Sequence, residues 1–210
     1  MIKTLIFDFG DVFINLDKAG TIKRSKELLG KDIMIKTKNK NDLAIFRTNN
    51  NYEKGLISTS DFTTFYTNLL DKVSDTEFKN LWNSLIKDFP LHRLKFIKAL
   101  AQNKKYNLIL LSNTNELHIN HIKKNILFYE EFKSCFNAFY LSHEIHLRKP
   151  DKTIFDFVLN KHNLKASESL FIDDTKENTD TANAMGIHVW NIDETKDDVV
   201  NLFNVKKELF

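Results

Sequence analysis

Short apolar runs that stop abruptly at a polar residue alternate, along most of this chain, with stretches whose apolar residues fall at helical spacing. Leu5-Ile6-Phe7 is the first such run and ends at Asp8. Tyr106-Asn107-Leu108-Ile109-Leu110-Leu111 ends at Ser112-Asn113, and Phe136-Asn137-Ala138-Phe139-Tyr140-Leu141 forms a third. Leu170-Phe171-Ile172 ends at Asp173-Asp174, and Ile187 to Asn191 closes the series. Runs this short and this apolar fit strands buried on both faces of a parallel sheet. Between them the pattern predicts a helix capped by Asp17 and reaching Leu29 before Gly30, one over Arg93 to Gln102, and one after Ser112-Asn113. Two more follow, near Thr153 to His162 and over Asn178 to Met185 with Gly186 as the stop. Strands alternating with helices imply right-handed crossovers, so the expected fold class is α/β, a Rossmann-like doubly wound parallel sheet.

Residues 16–88 break this alternation. Ser58 with Asp61, and Ser74 with Glu77, read as helix N-termini. Phe62, Phe65, Tyr66, Leu69 and Leu70 follow the first, and Phe78, Leu81, Trp82, Leu85 and Ile86 the second, as stripes of a helical-bundle core. Thr48-Asn49-Asn50-Asn51 leads into Tyr52-Glu53-Lys54-Gly55, which reads as a loop, and the lysine-rich stretch from Lys23 to Lys40 as a solvated helix face and loop. The expected organisation is a catalytic core of residues 1–15 and 89–210 with an inserted helical cap at 16–88, Pro90 marking the return.

Composition narrows the functional classes. A chain of 210 residues suits one domain with an insert or two small domains. Its 31 basic and 28 acidic side chains give a net charge of +3, too balanced to suggest nucleic acid as a partner. One cysteine, Cys135, excludes an internal disulfide and fits a reducing compartment. Met1-Ile2-Lys3 leads directly into a strand without a leader pattern, and no run approaches the ~18 apolar residues of a membrane span. A cytoplasmic protein with no membrane or nucleic-acid partner is expected; the oligomeric state is open.

The polar residues that end the apolar runs carry the chemistry. In a doubly wound sheet, Asp8, Ser112-Asn113 and Asp173-Asp174 converge on the carboxyl edge, and Lys149 lies on the loop after a further strand. Each has a plain alternative: Asp8 can start a turn before Gly10, Ser112 can cap the next helix, and Lys149 before Pro150 can be an exposed loop lysine. Together they describe a phosphate site. A carboxylate can attack phosphorus, Ser112 and backbone N–H groups can hold non-bridging oxygens, and Lys149 supplies a point charge. Asp173 and Asp174 would repel Asp8 by about 4 kcal/mol per close pair at an effective dielectric near 20. A hard cation such as Mg²⁺ removes that cost.

With Phe7-Asp8-Phe9-Gly10-Asp11-Val12, Leu111-Ser112-Asn113-Thr114-Asn115, Arg148-Lys149-Pro150-Asp151 and Phe171-Ile172-Asp173-Asp174 in order, the chain resembles the haloacid dehalogenase-like (HAD) hydrolase superfamily over essentially its whole length, in the subclass with a helical cap after the first strand. Ser112 to Asn115 followed by Leu117-His118, the segment Tyr52 to Ser58, and Asp173-Asp174 with Asn178 are similar to the α-D-glucose-1-phosphate phosphatases. The resemblance implies a Mg²⁺-dependent phosphomonoesterase acting on a small phosphorylated metabolite, such as a sugar phosphate, through an aspartyl-phosphate. It implies Asp8 as nucleophile and metal ligand, the Gly10 carbonyl as a second ligand, Asp174 as the direct carboxylate ligand with Asp173 beside it, and Ser112, Asn113 and Lys149 as phosphate binders.

Gly10 departs from the family pattern, in which a second aspartate protonates the leaving alcohol. General acid–base help is typically worth ~10²–10⁴-fold. Asp11, Asp17 or a cap residue such as Glu53 could substitute, a good leaving group such as an anomeric phosphate could make the acid dispensable, or turnover could simply be slow; the good leaving group, with or without help from a cap residue, is the expectation, since Asp11 reads better as a turn residue and Asp17 as a helix cap. Two other functions compete: a metal-free 2-haloacid dehalogenase, disfavoured by the paired Asp173-Asp174, and a non-catalytic phospholigand-binding protein, motivated by Gly10. His118, His143 and His146 fit no tetrahedral zinc set, and His118 reads as a helix-surface residue near the site. Arg47, Tyr52, Glu53 and Lys54 are candidate specificity residues, and Trp190 is expected in the core or at its rim.

Overall fold

Five parallel strands in the order β3-β2-β1-β4-β5 form the centre of the protein. They are β1 (Thr4–Phe7), β2 (Asn107–Ser112), β3 (Ala138–Leu141), β4 (Ser169–Asp173) and β5 (His188–Asn191). The structure, a computed structural model, describes residues 1–30, 32–34, 43–70 and 73–210. Helices α1 (Lys18–Leu29), α2 (Leu43–Glu53), α3 (Thr59–Leu69) and α4 (Asp75–Asn83) follow β1. After α5 (Leu91–Asn103) come β2, α6 (Glu116–Asn125), α7 (Tyr129–Ser134), β3, α8 (Ser142–Ile145) and α9 (Lys152–Lys161). The chain ends with β4, α10 (Lys176–Ala184), β5 and the short α11 (Leu202–Val205). The third strand is shorter than its apolar run predicts, and part of the lysine-rich stretch, Lys31 and residues 35–40, lies outside the described residues.

Burial on both faces explains the unbroken apolar runs. Leu5 and Phe7 of β1 join Leu108, Leu110, Leu170 and Ile172 in one core cluster, whereas Ile6 joins Ile109, Leu111 and Phe171 in a second across the sheet. The phenylalanine-rich composition has a local purpose. Phe9 stacks on Phe132 at 5.2 Å and lies 6.1 Å from Phe89, and Phe13 meets Phe132 edge-on at 5.0 Å. The loop following Asp8 is thus held from beneath by rings that make it part of the core.

The helices after β1 have their own aromatic core. Tyr52 stacks on Phe62 at 3.9 Å, Tyr66 on Phe78 at 4.3 Å, and Trp82 meets Phe62 edge-on at 4.8 Å. Both capping boxes read from the sequence are present, Ser58 with Asp61 and Ser74 with Glu77. The stretch read as a loop is different: Tyr52 and Glu53 are the last residues of α2, and the turn begins only at Lys54–Gly55. Tertiary contacts override the weak helix propensity of the preceding asparagines. Asn49 is buried, donating to the Ile33 carbonyl at 2.8 Å and accepting from the Tyr66 hydroxyl at 2.6 Å.

Two linkers connect this helical block to the sheet, and they pair. Leu16 and Ile86 form an antiparallel bridge, flanked by Asn15 N–H to Asp88 O at 2.8 Å, Lys87 N–H to Asn15 O at 3.0 Å and Asp17 N–H to Leu85 O at 2.8 Å. The α2–α3 turn also docks on the core: Lys54 pairs with Asp151 at 2.9 Å, and Ser142 Oγ donates to the Glu53 carbonyl at 2.6 Å. Gly55, at φ +62°, is the residue this docking requires, because a Cβ there would lie 2.1 Å from the His143 carbonyl oxygen.

Candidate active site

The strand order reverses between β1 and β4, and the carboxyl ends of adjacent strands at that point form the natural ligand crevice of an open α/β sheet. Asp8 follows β1 with its N–H bonded to the Ile172 carbonyl at 2.9 Å, and Asp173 ends β4. Lys149, carried by the loop between α8 and α9, reaches between them. Its Nζ donates to Asp8 Oδ1 at 2.7 Å, Asp173 Oδ2 at 2.6 Å and the Leu111 carbonyl at 2.7 Å. With 1% of its surface exposed, Lys149 is the opposite of a solvated loop lysine. Burial opposes its charge, but the carboxylates of Asp173 and Asp8 outweigh that and hold its pKa above the ordinary lysine value.

Asp173 is fully buried and held from several sides. Oδ1 accepts from Thr175 N–H at 2.8 Å, and Asn178 Nδ2 lies 3.0 Å from both oxygens. Asp174, next in the chain, has fewer obligations: Lys18 Nζ at 2.7 Å from Oδ2 and the Thr175 hydroxyl at 3.4 Å from Oδ1. Asp8, Asp173 and Asp174 each bring a carboxylate oxygen within 4.8 Å of the others. The electrostatic consequence appears at Asp8. Burial, against the pull of Lys149 and with the repulsion of Asp173 and Asp174 added, pushes its carboxyl up to about 7. Three clustered carboxylates face two ammonium groups, Lys149 and Lys18, and Lys18 is shared with Asp11 and Glu194; the cluster is short of positive charge, and an all-oxygen donor set of this kind suits a hard divalent cation.

Ser112, at the end of β2, is buried, and its hydroxyl makes only a marginal 3.5 Å contact to the Asn113 carbonyl. It does not cap the next helix, since Asn115 does so by accepting from His118 N–H. Asn113 clamps the lysine loop, its Nδ2 donating to Lys149 O at 2.8 Å and its Oδ1 accepting from Lys149 N–H at 2.9 Å. This clamp uses one of the two Nδ2 hydrogens of Asn113. Gly10 lies two residues beyond Asp8, and a Cβ built on it would meet Leu16 Cδ1 at 2.9 Å. The aliphatic side chain of Leu16, from the linker, thus fills the space that a side chain at Gly10 would enter.

The candidate substitutes for the acid all have other partners. Asp11, at φ +53°, accepts from Leu16 N–H at 2.9 Å and pairs with Lys18 at 2.6 Å. Asp17 caps α1 and pairs with Arg24 at 2.9 Å. Glu53 pairs with Arg148 at 2.5 Å. Tyr52 is buried, its hydroxyl bonded to Thr59 Oγ1 at 2.8 Å, whereas Arg47 is exposed on α2.

His118 is a correction to the sequence reading: it is not on the helix surface but buried, stacked on Trp82 with ring centroids 5.4 Å apart. Its Nε2 lies 3.0 Å from the Trp82 carbonyl and its Nδ1 3.1 Å from Asn115 Nδ2, which fits the neutral tautomer carrying its proton on Nε2. Burial, partly offset by the Trp82 carbonyl, lowers its pKa to about 4. An unfolded histidine protonates near 6.5, so the unfolded chain binds the extra proton between those values and the contribution of His118 to stability falls as pH drops from about 6.5 to about 4, by about 3 kcal/mol in all. The raised Asp8 carboxyl works in the opposite sense over the same range in both proteins, so the difference in urea-unfolding free energy between wild type and His118→Gln isolates the histidine and should change by about that amount; a pH-independent difference would contradict the assignment. His143 is half-buried in α8, and His146 Nδ1 lies 2.8 Å from the Lys54 carbonyl.

Lys18, Leu16 and the Trp82–Asn115–His118 contact come to light only in the structure. No local pattern marks them, since each owes its position to the packing of the inserted helices on the sheet. Asn178 stands in the sequence only as part of a motif with Asp173-Asp174; its bond to Asp173 depends on the fold.

Residues 2–186 match the family profile described as haloacid dehalogenase-like hydrolase. A D-ribitol-5-phosphate phosphatase from Bacteroides thetaiotaomicron is 27% identical over 199 residues, 90% of this chain and 91% of that protein. A variant of a HAD family enzyme from the same organism, solved in complex with magnesium and inorganic phosphate, is 31% identical, with a TM-score of 0.82 over 97% of this chain and 99% of its own. A predicted HAD-like family hydrolase from Porphyromonas gingivalis is 25% identical, with a TM-score of 0.81 over 100% of this chain and 98% of its own.

Proposed function

Because this chain belongs to the haloacid dehalogenase-like hydrolases, we propose that it is a Mg²⁺-dependent phosphatase acting on a small sugar or polyol phosphate, with Asp8 as the nucleophile. The observation that carries this reading is the Lys149 ammonium bonded to both Asp8 and Asp173, with Asp174 completing a carboxylate cluster around them. Asp8, Asp174 and the Gly10 carbonyl would hold the ion, with Asp173 beside them. When bound, Mg²⁺ supplies positive charge to the carboxylates and to the phosphoryl oxygens.

In the proposed reaction an Asp8 oxygen attacks phosphorus while the phosphorus–ester oxygen bond breaks, giving an aspartyl-phosphate and an alkoxide that takes its proton from water. A second water then attacks phosphorus, releases inorganic phosphate and restores the Asp8 carboxylate. Lys149 and the Ser112 hydroxyl bind the non-bridging oxygens, and Asn113 keeps the Lys149 loop in place. Residues 16–88 act as a cap that closes over the leaving group and excludes water.

The named activity of the ribitol phosphate relative supports a small phosphorylated substrate, and Gly10 bears on its choice. With no acid at that position, esters with better leaving groups, such as glucose 1-phosphate, should be the faster substrates. The test is phosphate release from a panel that includes D-ribitol 5-phosphate and both anomers of glucose 1-phosphate, with and without Mg²⁺. Mg²⁺-dependent turnover is expected; Mg²⁺-independent chloride release from a 2-haloacid would favour the dehalogenase, and binding without turnover the non-catalytic reading. Gly10→Asp, combined with Leu16→Ala to make room, should raise turnover of D-ribitol 5-phosphate relative to glucose 1-phosphate by about 10-fold or more. An unchanged ratio would show that the acid is supplied elsewhere.

A further inference from the structure

We infer that Lys18 is a resident cation that limits how tightly, and how many, divalent ions the active site holds; this rests on the reading of Asp8, Asp173 and Asp174 as the ion site. Two carboxylate clusters share Asp174. One is Asp8, Asp173 and Asp174, and the other is Asp11, Asp174 and Glu194, each with ligand atoms within 4.8 Å of one another. The second is already filled. Lys18 Nζ lies 2.6 Å from Asp11 Oδ2, 2.7 Å from Asp174 Oδ2 and 3.5 Å from Glu194 Oε1.

Those carboxylates come from the loop after β1, the end of β4 and the stretch beyond β5, three segments that converge on one ammonium. The lysine is delivered there by construction. It is the first residue of α1, directly after the Asp17 cap, and the linker before it is fixed by Leu16 N–H on Asp11 Oδ1 at 2.9 Å and Asp17 N–H on Leu85 O at 2.8 Å. Its ammonium occupies the position a second ion would take and engages one oxygen of the carboxylate that the first ion needs. A unit positive charge so close to a divalent cation opposes its binding.

This role has a sign that a merely structural one lacks. If Lys18 only oriented Asp174, removing its charge would loosen the ion; as a competing cation, its removal must tighten it. The experiment measures Mn²⁺ binding to the full-length protein by electron paramagnetic resonance, checked by Mg²⁺ calorimetry, for wild type, Lys18→Met and Lys18→Arg. Wild type should bind one ion. Lys18→Met should bind it about tenfold more tightly or more, or take up a second ion, and Lys18→Arg should stay within about twofold of wild type because the charge remains. Equal or weaker binding of a single ion by Lys18→Met, with no second ion taken up, or two ions in wild type, would overturn the inference while leaving the proposed ion site standing. A wild-type protein that binds no divalent ion would instead overturn the site itself. If Lys18→Met does not fold, Lys18→Gln provides the same comparison.

Discussion

Asp8→Asn should reduce phosphate release by at least about 10³-fold on every ester the wild type hydrolyses. The amide has the same shape but cannot form the acyl-phosphate, so the loss should fall on turnover and not on folding. Asp8 is buried among Asp173, Asp174 and Lys149 with its carboxyl pushed up to about 7. Exchanging a repelled carboxylate for a neutral amide should therefore leave the ion-free protein at least as stable as wild type. Steady-state phosphate release together with urea unfolding separates the two quantities. Retained turnover in a folded Asp8→Asn variant would remove Asp8 from the reaction.

Lys149→Met has the largest expected effect on stability. Lys149 is buried and bonded to two carboxylates and one carbonyl. Removing one partner of a buried ionic cluster typically costs ~3–5 kcal/mol, because the remaining charges stay buried without compensation. Here Asp8 and Asp173 would be left facing each other at the strand ends. Unfolding of Lys149→Met without divalent ions should show a loss of this size, and added Mg²⁺ should restore part of it by neutralising the same carboxylates. Turnover should fall by about 10²–10³-fold even with Mg²⁺ saturating, since a charged donor to the phosphoryl oxygens is missing. A variant as stable as wild type, or one whose stability ignores Mg²⁺, would contradict the assigned electrostatics.

Much of this site was legible in the sequence because its residues sit where patterns end. An apolar run that stops at Asp8, Ser112 or Asp173 announces both a buried strand and what stands at its mouth, and the topology brings those mouths together. Lys149 was legible only through its place in that set, since nothing local distinguishes a buried lysine before proline from an exposed one. Patterns failed where tertiary contact decides. Tyr52 and Glu53 read as a loop because asparagines precede them, yet Asn49 is satisfied by Ile33 and Tyr66, and α2 continues through Glu53. His118 reads as a helix-surface residue near the site, but Trp82 arrives from the inserted helices and stacks on it. Leu16 against Gly10, and Lys18 on Asp174, come from the linker and the first inserted helix folding back onto the sheet, a placement no spacing rule encodes.

The central claim is that Asp8 becomes phosphorylated beside a divalent ion. Its most direct test is a rapid acid quench of the Mg²⁺-loaded protein during turnover, followed by peptide mass spectrometry. A phosphoryl group on Asp8, absent when Mg²⁺ is withheld, is the predicted result. Phosphate released with Asp8 unmodified throughout, or a phosphoryl group found on Ser112 instead, would contradict it.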